Sequence, residues 1–484
     1  MHLLATSIVL LASSTPTWAS DPPPVPLTRP EMKQLLEESK KFRPRLKPPE
    51  PTPEELAAAK EQGNVSGSRG NLRNLLPREL RRGAFFFWDG RTQDMDRIAL
   101  RNPKAPATSP RRSSARSESS STRMRIDPDP KMTLDYAFKT MLFWIVSRGN
   151  NCVYCMGHQE AQLPAFGVTE DRIAALDGDW SEFTHAERAA FVLARKLTVA
   201  PQTVHDADID AVRRHFQEIQ VQEIIGIVAG FNAMNRWTGP LRLTQQEFRL
   251  YLTPTSPQYA TRITQVGPVP PGRTGTRCQP AANPRPPLES RSAVEAKWAE
   301  CARRKPRFAL VDESAARALL PAGTFPSHQP VPHWACLLLN FPKAGPAKVA
   351  DLLASETQGA LTPRLNAQLA WASARADHAW YALAHARDRL RALGLDDDAI
   401  FAIDQASGSF STPAERAALA FAHKLTVDPA LIDDADFEGL LTYYKESEIA
   451  ELIVHINHDV FFNRVTEAAQ LPLEKTTNGA VSQR

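Results

Sequence analysis

The chain has 484 residues, 42% of them hydrophobic, which is enough for substantial buried cores and suggests two to three domains. Charged residues make up 23% and mean hydropathy is −0.35, which excludes a wholly disordered chain and a polytopic membrane protein. Five cysteines are too few for a disulfide-dense scaffold, and the net charge of +4 is uneven. Residues 21–130 carry 22 Lys/Arg against 15 Asp/Glu, so residues 131–484 sum to −3. A near-neutral folded part with a basic arm argues against a nucleic-acid enzyme.

In chain order, residues 1–20 hold an apolar run, Leu3–Ala12, then a polar break and the small residues around Ala19. That outline is expected of a secretory signal peptide, and hence of an exported, periplasmic or secreted protein; a cytoplasmic start is the alternative. The run is shorter than the ~20 residues a membrane span needs, and no other segment reaches that length without charges. Residues 21–130 read as a Pro/Arg/Ser-rich arm, mostly disordered, with a short helix at Glu31–Lys41.

From Met132 the pattern becomes helical throughout. Leu134–Val146 is a strongly apolar helix, with Gly149 expected to end it and Asn150 or Asn151 to cap the next. That next helix carries Cys152, Cys155 and His158, and Gly167 closes it. Thr184 and Glu187 form a capping box before Ala189–Leu197, and Asp206–Phe216 and Val221–Trp237 read as further helices. No long stretch alternates with period two, so the fold class is all-α. This first domain spans 131–252, and a Pro-rich linker spans 253–295. A second domain spans 296–474, and a polar tail 475–484.

The second domain repeats the first. Thr184, Glu187, Lys196, Asp206, Glu223, Asn235 and Arg236 recur 228 residues later as Thr412, Glu415, Lys424, Asp434, Glu451, Asn463 and Arg464. Upstream, at an offset of 227, Trp144 pairs with Trp371, Arg148 with Arg375, His158 with His385 and Gly167 with Gly394. One residue of loop length explains the change. This is an internal duplication of about 110 residues. At the same offset Cys152 falls on Ala379 and Cys155 on Ala382, so thiol chemistry belongs to the first copy.

Two cysteines at i and i+3 share one helical face, and a helix N-terminus lowers a thiol pKa. His158 falls on that face as a candidate base. A thiolate that attacks peroxide becomes a sulfenic acid, which a neighbouring thiol resolves to a disulfide. A structural zinc site needs a second ligand pair, and Cys278, Cys301 and Cys336 provide none. Met156-Gly157 separates Cys155 from His158, against covalent haem. Cys278 and Cys301 are a conceivable pair within the linker, and Cys336 reads as a buried core thiol. In the second copy His455 and His458 lie one turn apart, on a helix that can face His378 and His385; solvated or hydrogen-bonded histidines are preferred there over a metal site. Arg148, Asn235 and Arg236 read as structural, with Arg236 tying helix ends together.

These residues, Cys152-x-Tyr154-Cys155-x-Gly157-His158 with Leu163, Gly167, the Thr184-x-x-Glu187-Arg188-Ala189-Ala190 stretch and Phe231-Asn-Ala-Met-Asn-Arg236, resemble the carboxymuconolactone decarboxylase / alkylhydroperoxidase AhpD-like family. The resemblance covers about 132–240 and more weakly 361–471. It implies two tandem AhpD-like helical domains, the second lacking the CxxC cysteines, in a protein that oligomerises with itself. It further implies thiol-dependent reduction of a hydroperoxide with an external dithiol donor and no bound cofactor or metal. By that resemblance Cys155 attacks, Cys152 resolves and His158 belongs to the proton relay. Two positions depart from the family pattern. Its histidine stands four residues after the second cysteine, where this chain has Gln159. Its relay glutamate stands twelve before the first, where this chain has Thr140; Glu160 and Asp135 are the nearby acids. The alternatives are a decarboxylase-type lyase, a dithiol exchange protein without peroxidase activity, and a binding module.

Overall fold

The computed structural model describes residues 29–50, 53, 72–77, 80–83, 129–245, 286–405 and 411–474. The expected signal peptide, Cys278, most of the linker, the polar tail and much of the arm lie outside these residues. The described residues form helices and no strand. No helix among them is long and apolar enough to cross a membrane.

The arm is more ordered than its composition implies. Helix α1 (Arg29–Ser39) lies close to the expected position and buries Met32 and Leu36. Leu46, Leu72, Leu76 and Leu80 are buried too, and the turn Leu80–Gly83 packs on the second half of the chain. The expectation of disorder therefore fails for these residues. Widely spaced leucines among Pro and Arg find apolar surface on the helical body rather than building a core of their own.

The first repeat contains α2 (Tyr136–Gly149), α3 (Val153–Ala165), α4 (Glu170–Ala175), α5 (His185–Val199), α6 (Asp206–Arg213) and α7 (Glu218–Thr238). Four helices follow: α8 (Arg291–Cys301), α9 (Glu313–Leu319), α10 (His333–Leu338) and α11 (Ala344–Thr357). Helix α8 begins inside the stretch expected to be linker, started by the Ser290 N-cap. Then α12 (Pro363–Asp377), α13 (Trp380–Ala392), α14 (Asp397–Phe401), α15 (Pro413–Val427), α16 (Asp434–Leu441) and α17 (Glu446–Ala468) follow the order of α2–α7.

Local interactions recur with the helices. The Thr184–Glu187 capping box starts α5, and Thr412–Glu415 starts α15. Lys196 pairs with Asp208 at 2.7 Å, and Lys424 with Asp436 at 2.6 Å. Arg148 pairs with Asp177 and Arg375 with Asp404, both at 2.9 Å. Glu223 accepts the N–H groups of Thr133 and Leu134 ahead of α2, and Glu451 those of Ala360 and Leu361 ahead of α12. Each carboxylate satisfies backbone donors of the segment that leads into the helix.

The repeats do not keep separate cores. The long helices α7 and α17 pack along one another. One buried cluster joins Phe143 and Ile225 to Phe341 and Val465; another joins Leu46, Trp237 and Leu241 to Leu365 and Leu452. Neither half would bury its apolar face without the other.

Candidate functional site

The turn into α3 sets the thiols. Helix α2 is capped by Asp135, whose carboxylate accepts from Ala137 and Phe138 N–H. Its exit passes through Asn151, which takes the left-handed conformation at φ 49°; His378 does the same at φ 52° ahead of α13. Gly149 is still helical, so the expected glycine stop is made by an asparagine, a residue that tolerates this region. Neither asparagine caps α3. Cys152 itself occupies the N-cap, and its own N–H donates to the Ser147 carbonyl at 2.9 Å. Asn150 instead turns its amide to Asn232 and Asn235, at 3.1 and 3.0 Å.

Cys152 and Cys155 are 1% and 3% exposed, so both sulfurs are out of bulk water. Their common partner is Thr238 at the end of α7, with Oγ1 at 3.1 Å from Cys152 Sγ and 2.9 Å from Cys155 Sγ. The Thr238 hydroxyl also has the Met234 carbonyl within 3.0 Å. A hydroxyl has one proton and two lone pairs. With its proton on Met234 it accepts from two S–H groups; turned to sulfur it donates to a thiolate.

The two thiols are unequal. Burial raises Cys152, but hydrogen bonds from the Cys155 thiol, Thr238 and the Cys155 backbone N–H outweigh it and hold Cys152 below the usual thiol range. Cys155 is pushed well above that range, first by burial, then by donating to Cys152 and by the charge there. When the pair ionises, these shifts put the negative charge on Cys152 at the helix N-cap, where the dipole favours it. The family resemblance makes Cys155, the less acidic of the two, the attacking thiol.

His158 follows Cys155 by one turn on α3. Its Nδ1 lies 2.9 Å from the Tyr154 carbonyl one turn back, and its ring packs on Tyr154 at a centroid distance of 4.4 Å. The acids considered for a relay are engaged elsewhere: Asp135 caps α2, and Glu160 accepts from the Trp144 indole at 2.8 Å. Thr140 donates to the Tyr136 carbonyl. Gln159, at the family's histidine position, is buried with its Oε1 lacking a hydrogen-bond partner. Asn235 approaches the thiols, lowering Cys155 slightly against its larger upward shift, while its Nδ2 donates to Ser147.

Arg148 and Arg236 have the structural roles expected of them, Arg148 toward Asp177 and Arg236 toward the end of α15. Cys336 is a buried thiol pushed up to about 11, chiefly by burial, and Cys301 one pushed up to about 12 for the same reason. Pairing of Cys301 with Cys278 falls outside the described residues. The second-copy histidines go to separate partners: His378 to Glu289, His385 to Glu356, and His455 to Ser355 and Glu451. Among the described residues no group of three or more His, Cys, Asp and Glu side chains is set to hold a metal ion.

Thr238 was not legible as a site residue. It lies 86 residues from Cys152, and the repeat pairs it with Thr466, whose hydroxyl donates to Phe462 as that of Thr238 does to Met234. A threonine retained where the thiols are lost reads as a helix feature, and only the fold brings sulfur to it.

No protein-family model matches the chain, and no curated protein does. Among solved structures, the chain is similar to a variant of the debrominase Bmp8 in complex with 2,3,4-tribromopyrrole. The identity is 22%, over 35% of this chain and 94% of that one, with a TM-score of 0.32. The apo form of the same debrominase gives 23% identity over 34% of this chain and 90% of that one, with a TM-score of 0.31.

Proposed function

We propose that the chain is a thiol-dependent peroxidase of the AhpD-like kind, with Cys152 as the attacking thiol and Cys155 as the resolving one. The observation that supports this reading is the seating of both sulfurs on the single hydroxyl of Thr238 at the N-terminus of α3. That hydroxyl can donate to a thiolate at Cys152, the form that attacks a peroxide.

The Cys152 thiolate attacks one oxygen of a hydroperoxide. An S–O bond forms to the terminal, hydroxyl oxygen, the O–O bond breaks, and the departing alkoxide takes a proton from solvent to leave as an alcohol. Cys152 is now a sulfenic acid. Cys155 then attacks the Cys152 sulfur. The S–S bond forms, and the sulfenic oxygen leaves as water with the Cys155 proton. The dithiol is oxidised by two electrons and the peroxide reduced by two. An external dithiol restores the pair by exchange. Burial of both sulfurs favours a small dithiol donor. The scheme assigns no step to His158, whose Nδ1 lies on the Tyr154 carbonyl.

The test is consumption of an alkyl hydroperoxide by residues 21–484 in the presence of a dithiol, with intact-mass analysis. The reading expects turnover, a loss of two hydrogens per chain after peroxide, and no turnover in Cys152→Ser. Full turnover in Cys152→Ser would overturn it.

A further inference from the structure

Next to the thiols the two repeats differ by one buried charge. Arg236 and Arg464 occupy the same place in α7 and α17, and Asn235 and Asn463 stand beside them. In the second repeat the arginine meets an acid: Arg464 Nη1 donates to Asp377 Oδ2 at 2.9 Å. In the first repeat the position of Asp377 is held by Asn150, two residues before Cys152. Arg236 Nη1 there lies 3.4 Å from Asn150 Oδ1 and 3.1 Å from Asn232 Oδ1. Asn232 gives way to Val460 in the second repeat. All of these side chains are buried. The repeat that keeps its thiols thus has two amides where the repeat that lost them has a carboxylate and a valine.

The exchange turns the shared asparagine around. An ionised aspartate only accepts hydrogen bonds, whereas an asparagine amide both donates and accepts. Asp377 therefore draws the NH2 group of Asn463, whose Nδ2 donates to Asp377 Oδ2 at 3.1 Å. Asn150 presents an NH2 group of its own, which donates to the side-chain oxygens of Asn235 and Asn232 at 3.0 and 3.1 Å. With its oxygen taken, Asn235 turns its NH2 group the other way, to Ser147 Oγ at 3.3 Å and to the Cys155 sulfur. A donor aimed at sulfur favours a thiolate, and a carboxylate two residues from Cys152 would oppose one. The second repeat carries no such demand, because Ala379 and Ala382 stand in place of the sulfurs.

We propose that Asn150 is a positioning residue for the thiol pair: it holds the Asn235 NH2 group toward Cys155 and keeps its own position beside Cys152 uncharged. In the peroxidase scheme, on which this inference rests for its chemistry, Cys155 gives up its proton as it attacks the oxidised Cys152 sulfur. The Asn235 NH2 group meets the negative charge that develops there. Asn150 acts through Asn235 rather than on the reacting atoms.

The experiment is the pH dependence of iodoacetamide alkylation in the full chain, read on each cysteine by peptide mass. It needs no peroxide, so failure of the peroxidase reading and failure of this one are told apart. Asn150→Asp copies the second repeat at one position. Asn150→Asp combined with Asn232→Val copies it at both and spares the new carboxylate the Asn232 oxygen. Each is expected to raise the alkylation midpoints by at least about one pH unit, which slows the reaction at neutral pH about tenfold. Urea unfolding is expected to show no loss of stability in the double variant, because the new carboxylate pairs with Arg236 as Asp377 does with Arg464. Asn235→Ala removes the NH2 group without adding charge and is expected to raise the Cys155 midpoint. Asp377→Asn, the reverse exchange, is expected to weaken the fold and leave both midpoints where they are. Unchanged midpoints in the folded double variant or in Asn235→Ala, or an equal shift in Asp377→Asn, would overturn the proposal.

Discussion

Arg236 and Arg464 exchange equivalent hydrogen bonds across the join between the two repeats. Arg236 donates from Nε and Nη2 to the carbonyls of Leu425 and Thr426, at 2.9 and 2.8 Å. Arg464 donates to Leu197 and Thr198, at 2.8 and 3.2 Å. The four carbonyls belong to the last turns of α15 and α5, whose acceptors no helical N–H can reach. Each repeat therefore closes a helix end of the other, and the guanidinium charge meets the negative end of the helix dipole.

Replacing either arginine leaves two buried carbonyls unsatisfied. Arg236→Met and Arg464→Met are each expected to lower unfolding free energy by about 3–5 kcal/mol. Lysine keeps the charge but not the fork, so Arg236→Lys recovers only part. Urea unfolding measures this, and a loss below about 1 kcal/mol, the scale of a surface ion pair, would contradict the role.

Thr238→Val removes the hydroxyl shared by the thiols and keeps the side-chain volume. Burial then acts on Cys152 with one hydrogen bond fewer, so its pKa rises and thiolate at neutral pH becomes scarcer. Alkylation by iodoacetamide should slow by about tenfold for each unit of rise. An unchanged pH midpoint would show that Thr238 does not set the pair.

The arm helix is testable through Leu36, fully buried with Met32 in the cluster that holds Cys155 and Met156. Helix α1 packs on α3. Leu36→Ala is expected to cost about 2–5 kcal/mol and to speed alkylation of the thiols in the native state. Unchanged stability would restore the picture of a dispensable tail.

Gly359 has φ 121°, and a Cβ there would collide with the carboxylate of Glu451. That carboxylate holds the Ala360 and Leu361 N–H groups ahead of α12. Gly359→Ala is expected to cost at least about 1–3 kcal/mol, from backbone strain and displacement of this cap. A thermally neutral variant would show that the loop relaxes without cost.

Asp459 predicts a pH signature. Its carboxyl is pushed up to about 7, chiefly by burial, against about 4 in an unfolded chain. Between those values the folded chain holds the extra proton, so this group's contribution to stability falls as pH rises and levels off above about 7. Asp459→Asn should therefore gain on the wild type across that window. Parallel stability curves would contradict the burial of this carboxyl.

Much of the fold was legible because its signals are local. Thr184 and Glu187 lie three residues apart, and Lys196 and Asp208 twelve, so capping and pairing can be read along the chain and matched at an offset of 228. The thiol pair was legible for the same reason. The rest depended on distance in sequence. Thr238 reaches Cys152 across 86 residues, and Arg236 reaches Leu425 across 189. The acidity order of the two thiols follows first from the Cys155 thiol donating to Cys152 and then from Thr238, a partner that only the fold supplies. His158 shares a helical face with Cys155 by spacing, but its rotamer directs Nδ1 back to Tyr154.

The most direct measurement is single-turnover trapping of the sulfenic acid. Cys155→Ser and Cys152→Ser proteins are each mixed with one equivalent of an alkyl hydroperoxide and a sulfenic-acid-trapping dione, and the adduct is located by mass. The account predicts an adduct on Cys152 in Cys155→Ser and little or none on Cys155 in Cys152→Ser. An adduct only on Cys155, or none in either protein, would contradict it.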